Sequence, residues 1–180
     1  MTTRPWEDLD RLVTTVEARA THLGSSIHGP SHWRAVGAAA ADIADAETAL
    51  RHAPDRELLL LFALLHDAKR EDDGFDPDHG PRAAILLEEL RVEGALALDD
   101  GRTATLAEAL RDHTRGTLHD DPTIAVCWDA DRLLIGRVGL IPDARYCSTH
   151  EGRRRATDGH LPALDGPPDW HAVARLLAVD

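Results

Sequence analysis

Cysteine is scarce in this chain: Cys127 and Cys147 are the only two in 180 residues. Two thiols build no disulfide framework, so the chain reads as intracellular and is expected in the cytoplasm. Long apolar runs are missing as well. The eight residues Leu58 to Leu65 fall far short of the ~20 that a bilayer crossing needs. Met1 to Trp6 has no apolar core, so no secretory leader is expected. Basic charge is in deficit: 20 Lys and Arg against 32 Asp and Glu give a net −12. That balance argues against nucleic acid or an anionic membrane surface as partners. It leaves anionic small molecules open, because a bound metal would supply positive charge locally. There is no internal repeat and no low-complexity tract.

What the chain has is histidine, 11 residues of it, and helical periodicity. Its length suits one domain with a substantial core. Apolar positions at Leu9, Leu12, Val13 and Val16 predict a helix over Asp8 to Leu23, closed by Gly24 and Ser25. Pro30 is placed to open the next helix, Ser31 to Arg51. The leucine-rich run is too apolar on all sides for a surface element and predicts a central buried helix from Pro54 to about Lys69. Further helices are expected over His79 to Val92, Thr103 to Arg115, and Asp121 to Gly139. Beyond Pro142 the signal weakens. Arg153-Arg154-Arg155 reads as solvated, the stretch to Pro168 as loop, and Pro168 to Val179 as a short closing helix. The expected organisation is one domain over 1–180, with its core at 27–139 and a loop-rich extension at 140–180.

Some polar residues sit where the pattern demands apolar ones. His32 shares a stripe with Val36, Ala39 and Ile43. The central helix runs into His66-Asp67. His79 lies on a face with Ala83, Leu86 and Leu90, and His113 with Leu106, Ala109 and Leu110. In Asp129-Ala130-Asp131, carboxylates two apart point about 160° away from each other on a helix. Asp131 falls on the apolar stripe, so it is the expected inward one, with Asp129 second to it. A buried carboxylate needs a cation or a dense set of donors. His32, His66, Asp67 and Asp131 form a mixed nitrogen and oxygen set that suits Mn²⁺, Fe²⁺, Co²⁺, Ni²⁺ or Zn²⁺. One ion is expected, and a second is compatible with the remaining histidines.

The stretches His32-Trp33-Arg34-Ala35-Val36, Leu65-His66-Asp67 and Ala130-Asp131-Arg132-Leu133, in this order, resemble the HD-domain superfamily of metal-dependent phosphohydrolases. The resemblance implies an all-α, single-domain helical bundle with a central metal. It implies hydrolysis of a phosphate ester or anhydride, with a nucleotide or another small phosphorylated metabolite as substrate and a metal-activated water as nucleophile. It also implies that His79 and His113 contact phosphate or hold a second ion. His66, Asp67 and Lys69 are the expected catalytic group; Arg82 joins His79 and His113 toward phosphate, with Arg70 and Arg115 as further cations. Glu71 and Asp72 are placed to orient the water. Two other readings stand beside this one: a binuclear iron oxygenase of the same fold, and a non-catalytic nucleotide-binding regulatory module. A homodimer is compatible with the sequence, but nothing in it demands one.

Overall fold

The leucine run forms the centre of the molecule. In the computed structural model, which describes residues 9–163 and 166–177, every side chain from Leu58 to Leu65 is at most 2 % exposed. The described residues make one compact all-α domain of eight helices, with no strand. In chain order these are α1 (Leu9–Arg19), α2 (Pro30–Ala49), α3 (Arg56–Leu65), α4 (His79–Val92), α5 (Asp100–Asp112), α6 (Pro122–Leu133), α7 (His150–Asp158) and α8 (Trp170–Leu176). A helix apolar on all sides needs neighbours all round. Around α3 stand α2, α5 and α6, with α1 and α4 touching it more lightly. Burying one leucine stabilises by about 1.5–3 kcal/mol, so this helix supplies a large share of the core. None of the helices is long and apolar enough to cross a membrane.

Helix starts follow local chemistry. Carboxylates of Asp55, Asp99, Asp121 and Asp169 accept from backbone N–H groups in the first turns of α3, α5, α6 and α8, satisfying donors that the helix leaves free. Pro30 and Pro122 occupy the first turns of α2 and α6, where a missing N–H is no loss. The cap at Asp99 starts α5 at Asp100, three residues earlier than the periodicity suggests. Asp8 and Val179, the expected outer limits of the first and last helices, lie outside the described residues.

Three differences from the sequence reading shape the site. First, α3 stops at Leu65, and His66 to Lys69 form turns. His66 is the C-cap, and its side chain takes up the carbonyl of Ala63. Second, α6 stops at Leu133; a 3-10 turn, Ile135–Val138, follows and ends at Gly139 with φ 78°. Third, the triple arginine lies in a helix, α7, rather than a loop. Thr149 caps it, and the N–H of Glu151 donates to the buried Glu47 carboxylate. Arg154 and Arg155 both bind the Glu151 carboxylate, while Arg153 donates to the carbonyls of Cys147 and Ser148. Charged side chains hold this segment together, so hydrophobic periodicity does not reveal it.

Candidate metal centre

Three imidazoles are fixed by one local device. Nδ1 of His66 faces the carbonyl of Ala63 at 3.1 Å, Nδ1 of His79 that of Asp76, and Nδ1 of His113 that of Leu110 at 2.7 Å. Each carbonyl belongs to the residue three places back. A carbonyl only accepts, so each Nδ1 carries the proton, and each Nε2 presents a lone pair. Phe62 steadies two of the rings: it stacks on His66 (centroids 5.2 Å apart, 19° between planes) and meets His113 edge-on.

The free nitrogens converge. His66 Nε2 is 3.3 Å from His32 Nε2, and His79 Nε2 is 2.9 Å from His113 Nε2. Asp67 lies between the two pairs. Its Oδ1 is 3.1 Å from His79 Nε2 and 3.9 Å from His113 Nε2; its Oδ2 is 3.6 Å from His32 Nε2 and 3.5 Å from His66 Nε2. All five residues are buried. Asp67 Oδ2 is buried with no hydrogen-bond partner. An orphaned buried carboxylate oxygen is costly, and facing lone pairs repel unless a cation or an extra proton lies between them. The donor set therefore fits two cation positions that share Asp67, one with His32 and His66, the other with His79 and His113.

Asp131 borders the first position through His32 and is not part of its close donor group. Its Oδ1 is 3.1 Å from His32 Nε2 and 3.1 Å from an Arg137 nitrogen. A proton on His32 Nε2 can serve Asp131 or His66, but not both. Burial pushes the His32 imidazole down to about 4, against the pull of Asp131, which keeps its ring neutral near pH 7. Burial opposes ionisation of Asp131, yet Arg137 and His32 outweigh it and hold that carboxyl well below the usual range.

Asp129 has different work. It is fully buried and accepts from Ser148 N–H, Thr149 N–H and the Thr149 hydroxyl at 2.7–2.8 Å. It ties the start of α7 to α6. Burial pushes its carboxyl up even against these donors.

A cleft of about 320 Å³ opens over the cluster, with Arg70 and Arg137 in its wall beside His28, His79, His113 and Asp131. Of the four expected cations, Arg70 reaches the centre, with one guanidinium nitrogen 3.3 Å from His79 Nε2 and 3.8 Å from Asp67 Oδ1. Its two other guanidinium nitrogens donate to the carbonyls of Asp72 and Gly74, and the other three cations are engaged away from the centre. Lys69 Nζ donates to the carbonyl of Arg19 at 2.9 Å, Arg82 binds Asp76 and the Lys69 carbonyl, and Arg115 binds Asp78 and the Pro77 carbonyl. Lys69 and Arg82 are absent from the cleft wall, as are the exposed Glu71 and Asp72.

Arg137 escapes sequence reasoning. On an unbroken helix it would sit about 240° round from Asp131, facing away. The break at Leu134 and the 3-10 turn bring it back. His28 is likewise buried against the cleft, with Nδ1 3.0 Å from Asp73; its spacing of four before His32 is the one signal for it.

Compared with family models, curated proteins and solved structures, the chain matches none. Its helical architecture and buried His/Asp cluster, able to hold metal, are compatible with an HD domain.

Proposed function

We propose that this chain is a metal-dependent phosphohydrolase of the HD-domain type, acting on a small phosphorylated metabolite such as a nucleotide. The observation that carries the reading is Asp67, with one carboxylate oxygen toward each pair of imidazoles. The residues that would hold the ions are His32, His66 and Asp67 on one side, with Asp131 bordering them, and Asp67, His79 and His113 on the other. A divalent cation bound there lowers the pKa of water to supply a nucleophile at neutral pH, and neutralises phosphate charge. In the net reaction a water oxygen bonds to phosphorus, the ester or anhydride bond breaks, and the leaving oxygen takes up a proton.

The chain's own part is positioning and charge. Arg70 and Arg137 lie in the cleft wall, and guanidinium groups match phosphate oxygens in two-point contact. Phe62 and the main-chain carbonyls keep the imidazoles oriented before substrate arrives. Two cations are also the frame expected of the binuclear iron oxygenase, so the shared Asp67 supports that reading too; the arginines at the mouth favour the phosphate one.

The test combines metal analysis with a screen of phosphorylated metabolites under added Mn²⁺, Co²⁺ or Ni²⁺. Expected are about two ions per chain and phosphate release that disappears in His66→Ala/Asp67→Ala. Release surviving that double change overturns the assignment. Two irons with oxygen consumption and no phosphate release move it to the oxygenase. A tightly held ligand without turnover under any metal moves it to the regulatory module.

A further inference from the structure

The cleft over the histidines does not end at the arginines. It continues into a second hollow of about 520 Å³, sharing Arg70, Gly74, His79, Thr114 and Ile135 with the first. That hollow continues into a third, about 430 Å³, through Thr114, Arg115, Ile135 and Leu140. The result is one groove leading away from the candidate metal centre. Its walls hold large apolar side chains that the fold leaves in water. Phe75 is 92 % exposed and Ile141 88 % exposed, and Leu140 and Tyr146 are also exposed. Exposed apolar side chains gathered along one groove mark a binding surface more often than chance scatter does.

The charged groups along this groove are mostly committed. Arg115 holds Asp78 and the Pro77 carbonyl, Asp143 holds Arg145, and Arg132 donates to the carbonyls of Gly116, Thr117 and Tyr146. Arg132 and Asp143 are spent on the protein, while the contacts of Arg115 use a single guanidinium nitrogen. The end next to the histidines sets Arg70 and Arg137 against Asp67, Asp73 and Asp131, so it turns cationic once the proposed metal is bound.

We infer that the groove seats the organic part of the substrate, and that this part is an apolar chain: the ligand class is a phosphate monoester of a lipophilic alcohol, phosphate toward Arg70 and Arg137, hydrocarbon along Phe75, Ile135, Leu140 and Ile141. This inference rests on the phosphohydrolase reading of the same centre and narrows its substrate. Two features support it: the charge complementarity at one end, and the continuity of the apolar walls with the cleft.

The experiment is calorimetric titration of the Mn²⁺-loaded protein with methyl-, butyl- and hexylphosphonate, which resist hydrolysis. A fully buried methylene gives about a fourfold gain; an open groove is expected to give about half that factor. Hexylphosphonate should then bind about 30-fold tighter than methylphosphonate. In Phe75→Ser/Ile141→Asp, where both altered side chains are exposed in the folded chain, the hexyl-to-methyl ratio should fall to about 3. Equal affinity for methyl- and hexylphosphonate in the unaltered protein overturns the inference while leaving the metal and phosphate reading standing.

Failure of all three phosphonates to bind counts against the phosphate reading itself. The groove is then judged alone, by the methyl NMR signals of Ile135, Leu140 and Ile141 under added hexanol. Shifts there uphold an apolar groove, and unmoved signals overturn it. Sedimentation covers the remaining occupant. A dimer that Ile141→Asp dissociates, with no chain-length effect, assigns the groove to a second copy and overturns the substrate inference.

Discussion

His79 Nε2 and His113 Nε2 lie 2.9 Å apart on rings whose Nδ1 atoms both face main-chain carbonyls. Two lone pairs at that distance call for a cation, and Asp67 Oδ1 stands beside them. The pairing predicts a graded loss of metal. His113→Ala should lower the bound metal from about two ions to about one, His32→Ala should remove the other, and Asp67→Ala should remove both. Metal analysis after equilibrium dialysis measures this. At a free metal concentration about 100-fold above Kd, each ion should stabilise the fold by about 2.7 kcal/mol. That corresponds to a rise in Tm of about 5–10 °C for a domain of this size.

Gly80 follows His79 and meets the last turn of α5 at close range. A Cβ there would lie 2.6 Å from the Leu110 carbonyl oxygen and 2.8 Å from that of Arg111. Backbone cannot yield as a side-chain tip can, so Gly80→Ala must push α4 from α5. Overpacking of this kind costs about 1–3 kcal/mol. Denaturant unfolding should show that loss, and the position made by His79 and His113 should weaken more than the one made by His32 and His66, because only the former spans the α4–α5 contact.

Acid should loosen α7. The Arg154 guanidinium, with Arg155 beside it, holds the Glu151 carboxyl at about 2 against the effect of burial. A carboxyl depressed in the folded state adds stability above its unfolded pKa of about 4.5, and that contribution fades as pH falls through this value toward 2. Unfolding free energy measured from pH 6 to 3 should therefore fall less steeply in Glu151→Gln than in the unaltered chain, the two profiles converging at the acid end. Parallel profiles would show that the ion pairs are not coupled to folding.

Arg70 serves the loop and the cleft at once: two nitrogens donate to the Asp72 and Gly74 carbonyls, and the third faces His79 and Asp67. Loss of Arg70 removes a charge-assisted contact worth about 1.5–3 kcal/mol. Arg70→Gln should weaken inorganic phosphate binding to the metal-loaded protein by at least about tenfold in calorimetry. Lys69→Met is the contrast, since Lys69 donates to the Arg19 carbonyl; it should lower Tm and leave phosphate affinity within about twofold.

The central helix and the inward histidines were legible because burial leaves a period in the sequence. His32, His79 and His113 stand where apolar residues are due, and all three are buried. Asp131 and Asp129 were separable by angle, although both turned out to have inward work: one beside His32, the other holding the start of α7. Two features had no periodic trace. Arg137 reaches Asp131 only because the chain leaves the α-helix at Leu134. The helix α7 is held across the fold by Glu47 and Asp129, and within its own length by Glu151 with Arg154 and Arg155. The stretch 140–160 therefore reads as loop when its own residues are all that is considered.

The carbonyls behind His66, His79 and His113 have a consequence for selectivity. Ring directions are set as the backbone folds, so no imidazole has to swing when an ion enters. A frame of that kind has a fixed aperture. It should discriminate among ions by radius and preferred coordination number, and reward those that match its opening rather than reshape itself around each newcomer.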